Sequence, residues 1–185
     1  MSEGLIVMAR PPAQVRHDIG VRLDALALDA EDAHVLVAPA NWHQSLSDKH
    51  SMACRENLMR ACEGLVASSV SLAFDRIVSG DEPANSIHWT LKGRAEKPPA
   101  FADLLDAVKH RLNAEGIADR LGHTAHVTLS YFARRRLDQE RKMVRIAPIA
   151  WTVDRIELVA AGGKPYGYRT LMQWPLLPPR QAELF

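Results

Sequence analysis

Two tripeptides of the form His-x-hydroxyl, His43-Gln44-Ser45 and His126-Val127-Thr128, lie 83 positions apart, each at the end of the same run of strand-like and helix-like segments. Moving back by 83 from His88, in the first apolar run of the second half, lands on Leu5 in the first apolar run of the chain. A repeat of this kind restricts the fold to two equivalent lobes, with His43 and His126 facing one another across a groove.

The segments follow from periodicity. In the first half Leu5 to Ala9 is a short strand, and Pro11-Pro12 opens a helix with Val15, Ile19, Leu23 and Leu26 inward. His34 to Pro39 is predicted as a buried strand, and Asn41 to Leu46 as an alternating one. Ser47-Asp48 offers the N-cap of a helix with Met52, Met59, Cys62 and Val66 inward. Val70 to Val78 is a strand, and Gly80 to Asn85 the turn after it.

The second half opens with Ile87 to Leu91. Pro98-Pro99 precedes a helix carrying Phe101, Leu104, Leu105, Val108 and Leu112 on one face, with Gly116 near its end. Thr124 to Phe132 is the matching strand, and Ile146 to Val159 with Tyr168 to Trp174 reads as a closing hairpin around Gly162-Gly163. The whole is expected to be one domain over residues 1–176, followed by a tail over 177–185.

Residues i and i+2 of a strand share a face about 6.6–6.8 Å apart. Each tripeptide therefore aims one imidazole and one hydroxyl in the same direction. Two imidazoles and two hydroxyls around one small anion suit phosphoryl transfer: a neutral histidine accepts a proton, a protonated one donates to the leaving oxygen, and hydroxyls hold the non-bridging oxygens. Val127 and Leu129 anchor the reverse face of the second strand, as Trp42 and Leu46 do for the first. Gln44 is the one polar residue on that buried face.

Both motifs have the form H-x-[S/T]-L, and with the C-terminal run Tyr168-Arg169-Thr170-Leu171-Met172-Gln173-Trp174-Pro175-Leu176 the chain resembles the two-histidine (2H) phosphoesterase superfamily. Within it, the likeness is to bacterial RNA 2′,3′-cyclic phosphodiesterases, also called 2′-5′ RNA ligases. The resemblance implies an α+β, bilobal, pseudo-twofold fold in which two mainly antiparallel sheets line a central cleft with helices outside. It also implies hydrolysis of RNA 2′,3′-cyclic phosphate ends to 2′-phosphates, with reversible 2′-5′ joining in some members. His43 and His126 carry over as the catalytic pair, and Ser45 and Thr128 as phosphate ligands. No cofactor and no metal are expected.

Other readings stay open beside this one. The same fold suits a small cyclic nucleotide, an ADP-ribose cyclic phosphate or a 2′-5′ oligonucleotide, and a noncatalytic RNA- or nucleotide-binding module is the alternative from another class. Tyr131, Arg134 and Tyr168 are candidate RNA or base contacts, with Tyr166 and Trp174 as further stacking candidates and Arg135 and Arg136 beside Arg134. A third copy, His88-Trp89-Thr90, sits in the first strand of its half and is read as structural or cleft-lining. His123 and His126 have H-x-x-H spacing, but on a strand they point to opposite faces, which disfavours chelation.

A net charge of +1 provides no strong field for long nucleic acid, so RNA ends or small cyclic nucleotides must be gripped locally. Without a signal-like segment or a membrane-length apolar run, the chain is expected to be cytoplasmic, with no membrane partner, and to act as a monomer. Cys54 and Cys62 stand about 12 Å apart along one helix, too far for a disulfide, and read as core thiols. Gln181, Leu184 and Phe185 of the tail resemble a sliding-clamp docking peptide.

Overall fold

Strand β1 (Gly4–Ala9) is buried along its entire length, because it is apolar on both faces and lies inside a sheet. The computed structural model describes residues 3–28, 30–81, 86–119, 122–138 and 142–179, with only the backbone described at position 81. The clamp-like residues Gln181, Leu184 and Phe185, and most of the turn after Gly80, lie outside the described residues.

After β1, helix α1 (Ala13–Asp24) turns Val15, Ile19 and Leu23 inward, and a short helix α2 (Ala30–His34) leads to a single turn at Pro39–Asn41 and strand β2 (Gln44–Ser45). Helix α3 (Arg55–Glu63) and strand β3 (Val70–Asp81) link the halves. Strand β4 (Ile87–Lys92), helix α4 (Pro99–Ala114) and strand β5 (His126–Ala133) repeat the β-α-β order of β1, α1 and β2. Strands β6 (Met143–Val153), β7 (Arg155–Gly162) and β8 (Gly167–Pro175) complete the chain.

The strands form two antiparallel four-stranded sheets, ordered β2-β1-β7-β8 and β5-β4-β3-β6. The expected α+β, two-sheet architecture is therefore observed. All five inward residues of α4 are buried, and Gly116 takes φ +74 just past the helix end, a left-handed position that glycine adopts without strain. One continuous core runs from α1, α3 and α4 to both sheets.

Four expectations need correction. Residues 34–39 are not a strand: Val35, Leu36 and Val37 are half-buried in a loop laid over β5, where Val37 N–H donates to the Leu129 carbonyl (2.8 Å) and Ser130 Oγ to the Val35 carbonyl (2.9 Å). Their apolarity packs a loop onto the core. Strand β2 is only two residues long, since it pairs with β1 only at Gln44 and Ser45.

Ser47 caps no helix, because its hydroxyl accepts from Val7 N–H (2.9 Å) and extends the edge of β1. Ser51 caps instead, accepting from Ala53 N–H at the turn that precedes α3, so the inward stripe becomes Leu58, Ala61 and Cys62 and leaves Val66 77% exposed. Finally, β6 and β7 are separate strands: the chain changes sheets at Asp154, and only β7 and β8 form the hairpin.

Phe101 is wholly buried at the start of α4. Phe101→Ala is expected to lower the unfolding free energy by about 3–5 kcal/mol, measured by urea denaturation; a loss under about 1 kcal/mol would contradict this packing.

Candidate active site

From Trp42 to Leu46 the side chains alternate: Trp42, Gln44 and Leu46 are buried, while His43 and Ser45 are half-exposed toward the other lobe. On β5 the same alternation buries Val127 and Leu129 and turns His126 and Thr128 outward. Together, His43, Ser45, His126 and Thr128 line one cleft of about 380 Å³. The two tripeptides, remote in sequence, thus reach a common cavity.

Both rings are held in the same way. His43 Nδ1–H donates to the Asn41 carbonyl (2.8 Å), and His126 Nδ1–H donates to the Thr124 carbonyl (2.9 Å). A carbonyl only accepts, so the proton belongs on Nδ1 in each ring, and Nε2 is the nitrogen suited to acid–base work. The loop bearing His43 is anchored further by Asn41 Nδ2, which donates to the Tyr166 carbonyl (3.3 Å) in the β7–β8 turn.

Gln44 gives its apolar-face position a purpose that alternation alone did not reveal. Fully buried, it accepts His126 N–H on Oε1 (2.7 Å) and donates through Nε2 to the Thr124 carbonyl (3.1 Å) and the Ser45 carbonyl (2.9 Å). The amide therefore ties one tripeptide to the other. The available signal was a polar residue in a strand position that should be apolar.

Burial is the main reason that His43 sits below the ordinary imidazole pKa. The hydrogen bond to Asn41 opposes that fall, while the nearby charges of His126, Arg10 and His123 add to it. His43 also lies edge-on to Tyr168, with ring centroids 4.8 Å apart. Burial raises the Tyr168 and Tyr131 phenols, and Tyr131 is within hydrogen-bonding reach of Thr128 and Tyr168.

Among the other sequence candidates, Tyr131 lines the cleft and Tyr168 flanks it through His43. Arg134 is not brought there: it pairs with Glu31. Arg135 pairs with the buried Asp32 (2.6 Å), and Arg136 donates to the Ser79 carbonyl, so this basic run fastens the segment after β5 to its surroundings. His88 and Thr90 of the third tripeptide do line the cleft, as does Lys92, which motif reading passed over.

Asp48, Asp119 and His123 place ligand atoms within 4.8 Å of one another, an O/O/N set of the kind that can hold a divalent cation. This places His123 with two carboxylates and apart from His126. None of the three lines the cleft. Burial, then the neighbouring Asp48, raises the Asp119 pKa, and burial lowers that of His123.

No protein-family model and no curated protein matches the sequence. Solved structures do. E. coli LigT in its apo form is 21% identical, with 95% of this chain and 98% of that one covered at a TM-score of 0.70. A crystal structure described as a phosphoesterase is 20% identical over 96% and 99% of the two chains, also at 0.70. A protein of Thermus thermophilus is 16% identical over 96% and 100%, at 0.67.

Replacing Gln44 by Met keeps most of the side-chain volume and removes three hydrogen bonds. It is expected to destabilise the protein by about 1–3 kcal/mol in urea denaturation, because the Thr124 carbonyl and His126 N–H lose a partner. Unchanged stability would contradict the bridging role. In architecture, the chain, with its two antiparallel four-stranded sheets, has the fold of E. coli LigT and of the structure described as a phosphoesterase.

Proposed function

We propose that the chain is a metal-independent phosphoesterase that opens RNA 2′,3′-cyclic phosphate ends to 2′-phosphates, with His43 and His126 as its acid–base pair. The observation that carries this reading is the shared cleft: two imidazoles, each fixed through Nδ1, enter it from opposite lobes with hydroxyls beside them, and its lining among the described residues includes no carboxylate. Such a lining favours an anion over a cation. E. coli LigT has been solved with 3′-AMP, with phosphate and with ATP, which supports a nucleotide phosphate as the ligand of this fold.

The chemistry follows from the two Nε2 atoms. His43, with its lowered pKa, is suited to the neutral form and takes a proton from water as the water oxygen attacks phosphorus. The bond from phosphorus to the 3′-oxygen breaks, and protonated His126 gives its proton to that oxygen. Ser45 and Thr128 donate to the non-bridging oxygens, where negative charge grows. A 5′-hydroxyl in place of the water would give a 2′-5′ linkage by the same displacement.

An RNA oligonucleotide with a 2′,3′-cyclic phosphate end, incubated with the protein and EDTA, is expected to yield a 2′-phosphate. His43→Ala and His126→Ala are each expected to slow turnover by about 10²- to 10⁴-fold. A 3′-phosphate product, loss of activity with EDTA, or full activity in either variant would contradict the proposal. Comparing this substrate with a nucleoside cyclic phosphate, an ADP-ribose cyclic phosphate and a 2′-5′ oligonucleotide ranks the substrate classes.

A base with a lowered pKa stays neutral further into acid. The acid limb of kcat/KM is therefore expected to fall below about pH 6.5, the ordinary imidazole value. An acid limb above that value would contradict His43 as the base.

A further inference from the structure

The third tripeptide, His88-Trp89-Thr90, runs antiparallel beside His126-Val127-Thr128, with Thr90 paired to Thr128 and Lys92 paired to His126. Trp89 is fully buried in the core, so His88, Thr90 and Lys92 share the opposite face, and all three line the cleft. Along the cleft wall the order is His126 beside Lys92, Thr128 beside Thr90, then, past an irregularity in the pairing at Trp89, the Tyr131 ring beside His88. The two imidazole–hydroxyl pairs thus meet at their threonines and extend in opposite directions.

The His88 ring is held in place. It stands perpendicular to Tyr131, with centroids 5.3 Å apart, and Nε2 is 3.3 Å from Ser86 Oγ. Residues i and i+2 of a strand are separated by about 6.8 Å, so an anion between Thr90 and His88 lies one pleat from an anion between His126 and Thr128. That step is close to the spacing of successive phosphates in a nucleotide chain. Among the described residues, the side chains that line this wall are, besides Val78, hydroxyls, imidazoles, a phenol and the Lys92 ammonium, a set that accommodates a second negative group.

We propose that His88 and Thr90 form a second phosphate subsite, which receives the 5′-phosphate of the nucleotide whose 2′,3′ end lies between His43 and His126. This rests on the reading of the main cleft as a phosphate site and adds to it a preference for nucleotides that carry a 5′-phosphate over nucleosides without one. Thr90 and Thr128 mark the junction between the two subsites, and Lys92 supplies charge at the reacting end.

Isothermal titration of the full chain with adenosine 3′,5′-bisphosphate and adenosine 3′-monophosphate, at one salt concentration, tests the subsite without requiring turnover. The bisphosphate is expected to bind about tenfold or more tightly, as one added charge-assisted contact would give. His88→Ala with Thr90→Val is expected to bring the ratio to within about twofold, and His88→Gln alone to reduce it. Equal binding of the two ligands by the parent protein, or an undiminished ratio in folded His88→Gln, would overturn the subsite. Failure to open cyclic phosphate ends would instead overturn the proposed reaction and leave this binding ratio to decide the subsite.

Discussion

A single buried amide, Gln44, joins the two halves of the candidate site. It accepts the His126 backbone N–H and donates to the Thr124 carbonyl, which in turn receives Nδ1–H of the His126 ring. The position of one imidazole is therefore set by a side chain on the strand that presents the other. Buried polar groups are costly unless paired, and three hydrogen bonds here make the paired arrangement the stable one. The alignment of the lobes and the orientation of His126 have the same cause.

Around this link each lobe places a β-α-β unit at the cleft, and the remaining strands complete the sheets: β7 and β8 beside β1, β3 and β6 beside β4. The apolar face of each motif strand enters the common core, and the fully buried polar residues of these strands are Gln44 and Ser130. Ile6, Met8, Val159 and Ala161 form a small apolar cluster on which Tyr168 packs, and His43 lies against the Tyr168 ring. Burial of His43, to which the Tyr168 ring contributes one neighbour, is the largest cause of its lowered pKa.

Much of this was legible in the sequence, for identifiable reasons. The helical spacing from Phe101 to Leu112, the strand patterns of β3 to β5 and the 83-residue offset of the tripeptides all reflect burial, which periodicity records. What escaped were features decided by a partner remote in sequence. Val35 to Val37 look like a strand but pack as a loop on β5; Ser47 looks like a helix cap but is occupied by Val7; Asp154 carries no local sign that the chain leaves one sheet for the other. Gln44 was visible only as a misfit, and His88 and Thr90 only as a spare motif.

The central claim is that two Nε2 atoms from different lobes address one phosphate. Long-range 1H–15N NMR of the histidine rings during a titration with inorganic phosphate tests it directly. Neutral His43 and His126 are both expected to be Nδ1–H tautomers, and both Nε2 signals to move with a single Kd. Nε2–H tautomers, or a phosphate response confined to one of the two rings, would contradict it.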